Sequence, residues 1–156
     1  MTGNVQLYLP ERSLGSGSDG RAVSRIRGAG QGAYLAGKLV LLPTARKGTK
    51  RPDYSDIEKA CRGLYWIATE FRRRKIEGGG AIANIPIGED LENAPCGGDS
   101  FAAIHQGRNL QIDWHIKGGG NTRDPTRCLR IYYTFDPITQ EAIVADMPAH
   151  RRTDAT

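Results

Sequence analysis

The sequence has few of the residues that build disulfide frameworks, zinc clusters or membrane spans. Its three cysteines, Cys61, Cys96 and Cys128, are odd in number and far apart, and they match no zinc-ligand spacing. No segment approaches the roughly 20 consecutive apolar residues that a membrane-spanning helix requires. The first residues are polar and contain no hydrophobic run of signal-peptide type. We therefore expect a reduced, cytoplasmic protein that does not associate with a membrane.

The composition that remains is basic and rich in loop-forming residues. The 156 residues include 20 glycines and 8 prolines, and hydrophobic residues make up 38%. This is enough apolar material for one modest core, so the length favours a single domain. The formal net charge is +5, which favours an anionic partner over a cationic one.

The N-terminal part differs in composition from the rest of the chain. Residues 12–32 are rich in glycine, serine and arginine and offer little surface to bury. We therefore predict a flexible N-terminal arm over residues 1–32, with a short strand at 5–9, and one α+β domain over residues 33–156. In that domain, residues 34–42 form an apolar run of strand length, closed by Pro43 and followed by a basic loop.

One amphipathic helix is predicted over residues 55–75. Ser55 and Glu58 fit the S-x-x-E capping box, and apolar residues then recur at helical spacing. The helix ends in Arg72, Arg73, Arg74 and Lys75 before a glycine run. These cations suit the negative end of the helix dipole, and contact with an RNA backbone is the alternative. Residues 81–98 show weak patterning and are predicted to be a loop.

Three predicted strands carry basic residues at their polar positions and exits. Residues 110–117 alternate strictly, which places Asp113, His115 and Lys117 on one face of a single strand. Residues 129–135 place Arg130, Tyr132 and Thr134 on one face, and residues 141–147 return as a hairpin partner. The exit of that strand carries His150, Arg151 and Arg152.

Several interpretations of this block are open. Asp113 beside His115 is compatible with an ordinary solvent-facing sheet, or with a carboxylate that orients an imidazole. Asp113, His105, His115 and His150 contain the ligand types of a metal site, but so many neighbouring cations oppose a divalent ion. The glycine run at 118–120 lacks the ending of a phosphate-binding P-loop. We therefore expect neither metal nor cofactor.

The stretch from 109 to 153 resembles the closing hairpin of the RelE/ParE toxin superfamily. The motifs are NLQIDWHIK, LRIYYTFD and AIVADMPAHRR, which look like the family's basic strand end, its aromatic strand and its apolar strand ending in basic residues. The resemblance implies a small twisted antiparallel sheet with helices packed on one face. It also implies ribosome-dependent cleavage of mRNA and an antitoxin protein as partner. By position, Lys117, Arg130, Arg151 and His150 match the family's basic residues. The family's frequent C-terminal tyrosine is absent, so Tyr132 would replace it.

The chemistry of RNA cleavage without a metal assigns roles to these residue types. Histidine exchanges protons near neutral pH, so His150 and His115 are the acid–base candidates. Arginine holds its proton, so Arg130 and Arg151 suit charge stabilisation. Tyr132 is a candidate for stacking on a base or donating a hydrogen bond. The predicted catalytic set is His150, His115, Arg130, Arg151, Lys117 and Tyr132, and the predicted RNA-binding set is Arg123, Arg127, Arg152, Arg72, Arg73 and Arg74.

Two other classes of function remain open at this stage. One is a non-catalytic module of the same fold that binds nucleic acid or inhibits a topoisomerase. The other is an accessory protein of a phage or mobile element, whose basic face only neutralises nucleic acid. The leading hypothesis is a RelE-like toxin, a metal-independent endoribonuclease that cleaves mRNA, with RNA or the ribosome as partner and an antitoxin protein as inhibitor.

Overall fold

The computed structural model describes residues 25–28, 31–34, 38–120, 122 and 124–151, and for the first two segments it describes the backbone alone. Those segments, β1 (Arg25–Gly28) and β2 (Gln31–Tyr34), pair antiparallel across the predicted boundary between the N-terminal arm and the domain. The predicted strand at 5–9 lies outside the described residues.

The centre of the described domain is a six-stranded mixed sheet. Its order is β3-β10-β9-β8-β5-β4, formed by β3 (Leu39–Leu41), β4 (Ile85–Ile87), β5 (Leu91–Pro95), β8 (Trp114–Gly118), β9 (Leu129–Asp136) and β10 (Glu141–Asp146). The predicted hairpin is confirmed, since β9 and β10 pair antiparallel. The sheet is not wholly antiparallel as predicted, because β3 joins β10 in parallel register. The chain is α+β, with helices and strands segregated along much of its length.

Helices cover one face of this sheet. They are α1 (Pro43–Lys50), α2 (Ile57–Trp66) and α3 (Arg72–Glu77), with a π-helical segment (Ile67–Phe71) joining α2 to α3. Phe71 is fully buried, and its ring meets that of Tyr133 on β9 edge to face at 4.7 Å between centroids. This contact belongs to the larger of two hydrophobic clusters, which lies between the helices and the sheet.

A second hairpin packs on the opposite face. It is formed by β6 (Phe101–His105) and β7 (Arg108–Ile112), and it encloses a smaller cluster that includes Ile112, Tyr132 and Ile143. Arg108 forms a bidentate ion pair with Asp136, which is fully buried at the end of β9. Because both faces of β9 are covered, its predicted polar face is buried as well.

Four local predictions are wrong, each for a physical reason. Residues 43–50 form α1 rather than a basic loop, because Pro43 occupies the first turn, where its missing N–H costs nothing. Residues 81–98 contain β4 and β5 rather than a loop, with the edge position of β4 accommodating Pro86.

The other two corrections concern where elements begin and end. The predicted strand 110–117 is interrupted at Asp113, so its first half joins the β6–β7 hairpin and its second half joins the sheet. The helix cap is Asp56, which accepts from the N–H of Lys59, whereas Ser55 donates to the carbonyl of Thr126. The glycine stop is confirmed, since α3 ends at Glu77 and Gly78 has a φ of 81°.

Candidate functional site

Sheet register brings three titratable side chains into one row. His115 on β8 is the register partner of Tyr132 on β9, and Tyr132 is also the partner of Asp146 on β10. Directly opposed residues of antiparallel strands share a face of the sheet. The rings of His115 and Tyr132 lie 5.7 Å apart between centroids. The register of β10 shifts between Val144 and Asp146, and such bulges re-aim side chains.

The environment of His115 keeps its imidazole neutral at pH 7. Burial, followed by the positive charges of Arg130 and Lys117, lowers the pKa of His115 to about 4. Its Nδ1 atom is buried and has no hydrogen-bond partner among the described residues. A neutral imidazole with this lowered pKa is a weak proton acceptor, and its positive surroundings make it a poor site for a metal cation.

The residues that follow β10 pack beside His115, Tyr132 and Asp146. We call residues 147–151 the exit segment; it continues to bond β9, because the N–H of Arg130 donates to the carbonyl of Pro148. Further along, the N–H of Arg151 donates to the hydroxyl oxygen of Tyr132 at 3.3 Å. The Arg151 guanidinium lies 3.5 Å from the ring centroid of Phe101 on β6, a stacked cation–π contact. These contacts hold Arg151 beside Tyr132.

His150 lies exposed at the end of the exit segment. Its Nδ1 atom is 2.6 Å from the carbonyl oxygen of Arg151. Since a carbonyl can only accept, Nδ1 carries a proton, and proton exchange with a ligand takes place at Nε2. We call the set His115, Lys117, Arg130, Tyr132, His150 and Arg151 the basic corner. The structure thus brings all six predicted catalytic residues to one end of the sheet.

The side chains of two members of the basic corner, Arg130 and Lys117, already bond to other residues of the protein. Arg130 is buried, and its guanidinium donates to the carbonyls of Gly118, Leu129 and Gly120, so it holds the glycine loop that follows β8. Lys117 forms an ion pair with Glu92 on β5, at 3.3 Å between Nζ and Oε1. Their charges still act on His115, but their donors are committed.

The predicted RNA-binding arginines are scattered. Arg72 donates to the carbonyl of Gln140, and Arg73 and Arg74 pair with Glu70, all in the helix layer on the far side of the sheet from Tyr132. Arg127 is exposed in the loop before β9. Arg123 and Arg152 lie outside the described residues.

Sequence reasoning also missed residues that the fold places at the basic corner. Phe101 stacks on Arg151 and meets the Tyr132 ring edge to face at 5.9 Å. Asp99, rather than the predicted Asp113, is the carboxylate whose charge acts on His115. Burial raises the pKa of the Asp146 carboxyl. No sequence signal indicates Phe101 or Asp99, because neither the β6–β7 hairpin that carries Phe101 nor the short helical turn at Gly97–Asp99 was predicted.

The other histidine lies elsewhere. His105 is buried at the tip of the β6–β7 hairpin, 3.7 Å from Glu141 at the start of β10. Within residues 38–151, as far as the structure describes them, no three His, Cys, Asp or Glu side chains gather in metal-binding geometry. None of the described helices is long and apolar enough to cross a membrane.

Comparison with protein-family models, with curated proteins and with solved structures yields no match to this chain.

Proposed function

We propose that this chain is an endoribonuclease that cleaves RNA at the basic corner without a metal ion. The observation that carries the proposal is the placement of two imidazoles and one guanidinium around Tyr132. His115 faces Tyr132 directly, and the exit segment delivers His150 and Arg151 to the same place. Proton acceptor, proton donor and charge stabiliser are the three groups that this reaction needs.

The roles follow from the environment of each side chain. His115 is neutral at pH 7 and accepts the proton of a ribose 2′-hydroxyl, as a weak base whose pKa is lowered to about 4 by burial and by the charges of Arg130 and Lys117. The 2′-oxygen then bonds to phosphorus while the bond from phosphorus to the 5′-oxygen breaks. His150 acts in its imidazolium form: Nδ1–H stays bonded to the carbonyl of Arg151, and the proton on Nε2 passes to the leaving 5′-oxygen. The products are a 2′,3′-cyclic phosphate and a 5′-hydroxyl.

Arg151 is the residue placed to neutralise the phosphate. Its guanidinium stacks on Phe101 and is half-buried, which restricts its motion and reduces solvent screening. Arg130 acts indirectly. It holds residues 118–120 in place and adds positive charge near His115. The crowding of cations opposes binding of a divalent ion in the same place.

The substrate and the inhibitor are proposed from the resemblance of residues 109–153 to the RelE/ParE hairpin. On that ground we propose mRNA on the ribosome as substrate, and an antitoxin protein as the partner that blocks the basic corner. Expression of the chain should then arrest growth. His150→Ala and Arg151→Ala should each relieve the arrest while the protein remains folded. Full toxicity in both variants would mean that the site is assigned wrongly.

A non-catalytic RNA-binding role at the same corner is the second candidate. It is favoured by the burial of Tyr132, which is 1% exposed, because a phenol so enclosed cannot stack on a base. Purified protein that binds RNA but leaves it intact, with or without ribosomes, would select this candidate over the first.

A further inference from the structure

In the segment that contains α1, every charged residue is positive. Residues 38–52 include five cations and no aspartate or glutamate. The cations are Lys38, Arg46, Lys47, Lys50 and Arg51. A segment of this kind binds polyanions unless neighbouring elements supply carboxylates.

The inner face of α1 is fixed against the domain. Ala45 is fully buried in the larger hydrophobic cluster. Gly48 lies against the exit segment, so closely that a Cβ atom at this position would be 1.8 Å from the carbonyl oxygen of Met147. Lys47, Lys50 and Arg51 are exposed. Lys47 and Lys50 are three residues apart on the helix and lie on one side of it, away from Ala45, and Arg51 follows directly as the non-helical residue at the end of α1. We call these three residues the stripe.

The stripe is not neutralised by the part of the chain that the structure describes. Lys47, Lys50 and Arg51 form no ion pair there, whereas Arg73 and Arg74 on α3 are paired with Glu70. On α2, Lys59 and Arg62 are likewise paired, both with Asp90. Four of the helical cations on α2 and α3 therefore serve internal ion pairs, and Lys47, Lys50 and Arg51 do not.

Topology places the stripe at the same end of the sheet as the basic corner. β3 runs parallel to β10, so α1 and the exit segment leave the sheet side by side. Met147, which contacts Gly48, precedes His150 by three residues, a reach of about 10 Å at most. An RNA strand seated on His150 and Arg151 would bring its neighbouring phosphates to α1 by passing round the end of the sheet beside Met147 and Gly48, because α1 lies on the helix-covered face.

We propose that Lys47, Lys50 and Arg51 form a backbone-binding track that holds the RNA strand beside the basic corner. The proposal rests on RNA being the ligand, and it adds where the strand runs. Ammonium groups act as point charges toward phosphate and read no sequence, so the track supplies affinity and positioning rather than specificity. Stabilisation of the helix end by Lys47 and Lys50 is the competing explanation, and it requires no ligand.

The test compares two double variants of the full-length chain. Lys47→Gln with Lys50→Gln removes two charges from the track. Lys59→Gln with Arg62→Gln removes two charges at the same spacing from α2, near the opposite edge of the sheet, where Asp90 already neutralises them. Glutamine has a helix propensity close to that of lysine, so both variants should fold. The probe is a single-stranded 2′-O-methyl oligouridylate, which cannot be cleaved.

The track variant should bind the probe about 20-fold more weakly at 0.1 M salt, and its slope of log affinity against log salt should fall by about 1.4. The control variant should retain the wild-type affinity and slope. Equal binding by the track variant and the wild type, equal losses in both variants, or no binding by the wild type would each overturn the track. Binding through the track by a protein that leaves natural RNA intact would remove the cleavage proposal and keep the track.

Discussion

Lowering the pH from 7 to 5 should destabilise the protein through His115. The pKa of His115 is about 4 in the folded protein, against 6.5 for an ordinary histidine. The unfolded chain therefore binds a proton more readily than the folded one between these two values. Stability contributed by the neutral imidazole is complete above pH 6.5 and is lost as the pH falls toward 4.

The size of the effect follows from the shift. One unit of pKa corresponds to about 1.4 kcal/mol, so the full shift represents about 3 kcal/mol. At pH 5 about 2 kcal/mol of this is lost, and solvent around the half-buried ring reduces the loss to between about 1 and 2 kcal/mol. Asp136 and Glu70 contribute little between pH 7 and pH 5, because the stability that each gains from its arginine partner is lost only as the pH falls below the ordinary carboxyl pKa of 3.8 or 4.5.

Urea unfolding at pH 7 and pH 5 measures this loss directly. His115→Gln cannot titrate, so its free energy of unfolding should fall less than that of the wild type by about 1 to 2 kcal/mol. Lys117→Gln removes one of the charges that lower the pKa of His115, and it should show an intermediate loss. If His115→Gln lost as much stability as the wild type, the lowered pKa of His115 would be refuted.

Three further substitutions test the packing that holds the basic corner in place. Arg108→Gln leaves the buried Asp136 carboxylate without its guanidinium and should cost about 3 kcal/mol; an unchanged urea midpoint would contradict the role of this pair in fastening the β6–β7 hairpin. Gly48→Ala should destabilise by more than about 2 kcal/mol although alanine favours helices, whereas Gly63→Ala meets only side-chain methyl groups of Ile131 and Ile116 and should cost less; thermal unfolding ranks the two. Tyr133→Phe removes the hydroxyl that donates to buried Asn93 and should cost about 1 to 2 kcal/mol in urea unfolding, and a neutral result would mean that Asn93 finds another donor.

Local patterns predicted the elements whose partners are close in sequence. The β9–β10 hairpin needs only a turn and two alternating runs, so its strands were found within one or two residues. The helix start was displaced by one position, because Ser55 and Asp56 are both good caps and tertiary contacts decide between them. Ser55 is held by Thr126, far along the chain, which no local pattern contains.

Long-range contacts account for what the sequence did not show. The strict alternation through Asp113 predicts one strand, yet Ile112 and Ile116 pack in different clusters on opposite faces of the sheet. The polarity of Arg130 and Tyr132 predicts an open face, but the β6–β7 hairpin covers it. The meeting of His115 and Tyr132 could be predicted from strand register alone, whereas the stacking of Arg151 on Phe101 depends on that second hairpin.

The central claim is tested most directly by the RNA ends that the purified protein produces. RNA is incubated with the full-length chain in excess EDTA, with and without ribosomes, and the fragments are analysed for a 2′,3′-cyclic phosphate. The wild type should generate such ends under at least one of the two conditions, and His150→Ala and Arg151→Ala should each reduce the rate by about 100-fold or more. Intact RNA under both conditions, or undiminished cleavage by both variants, would contradict catalysis at the basic corner.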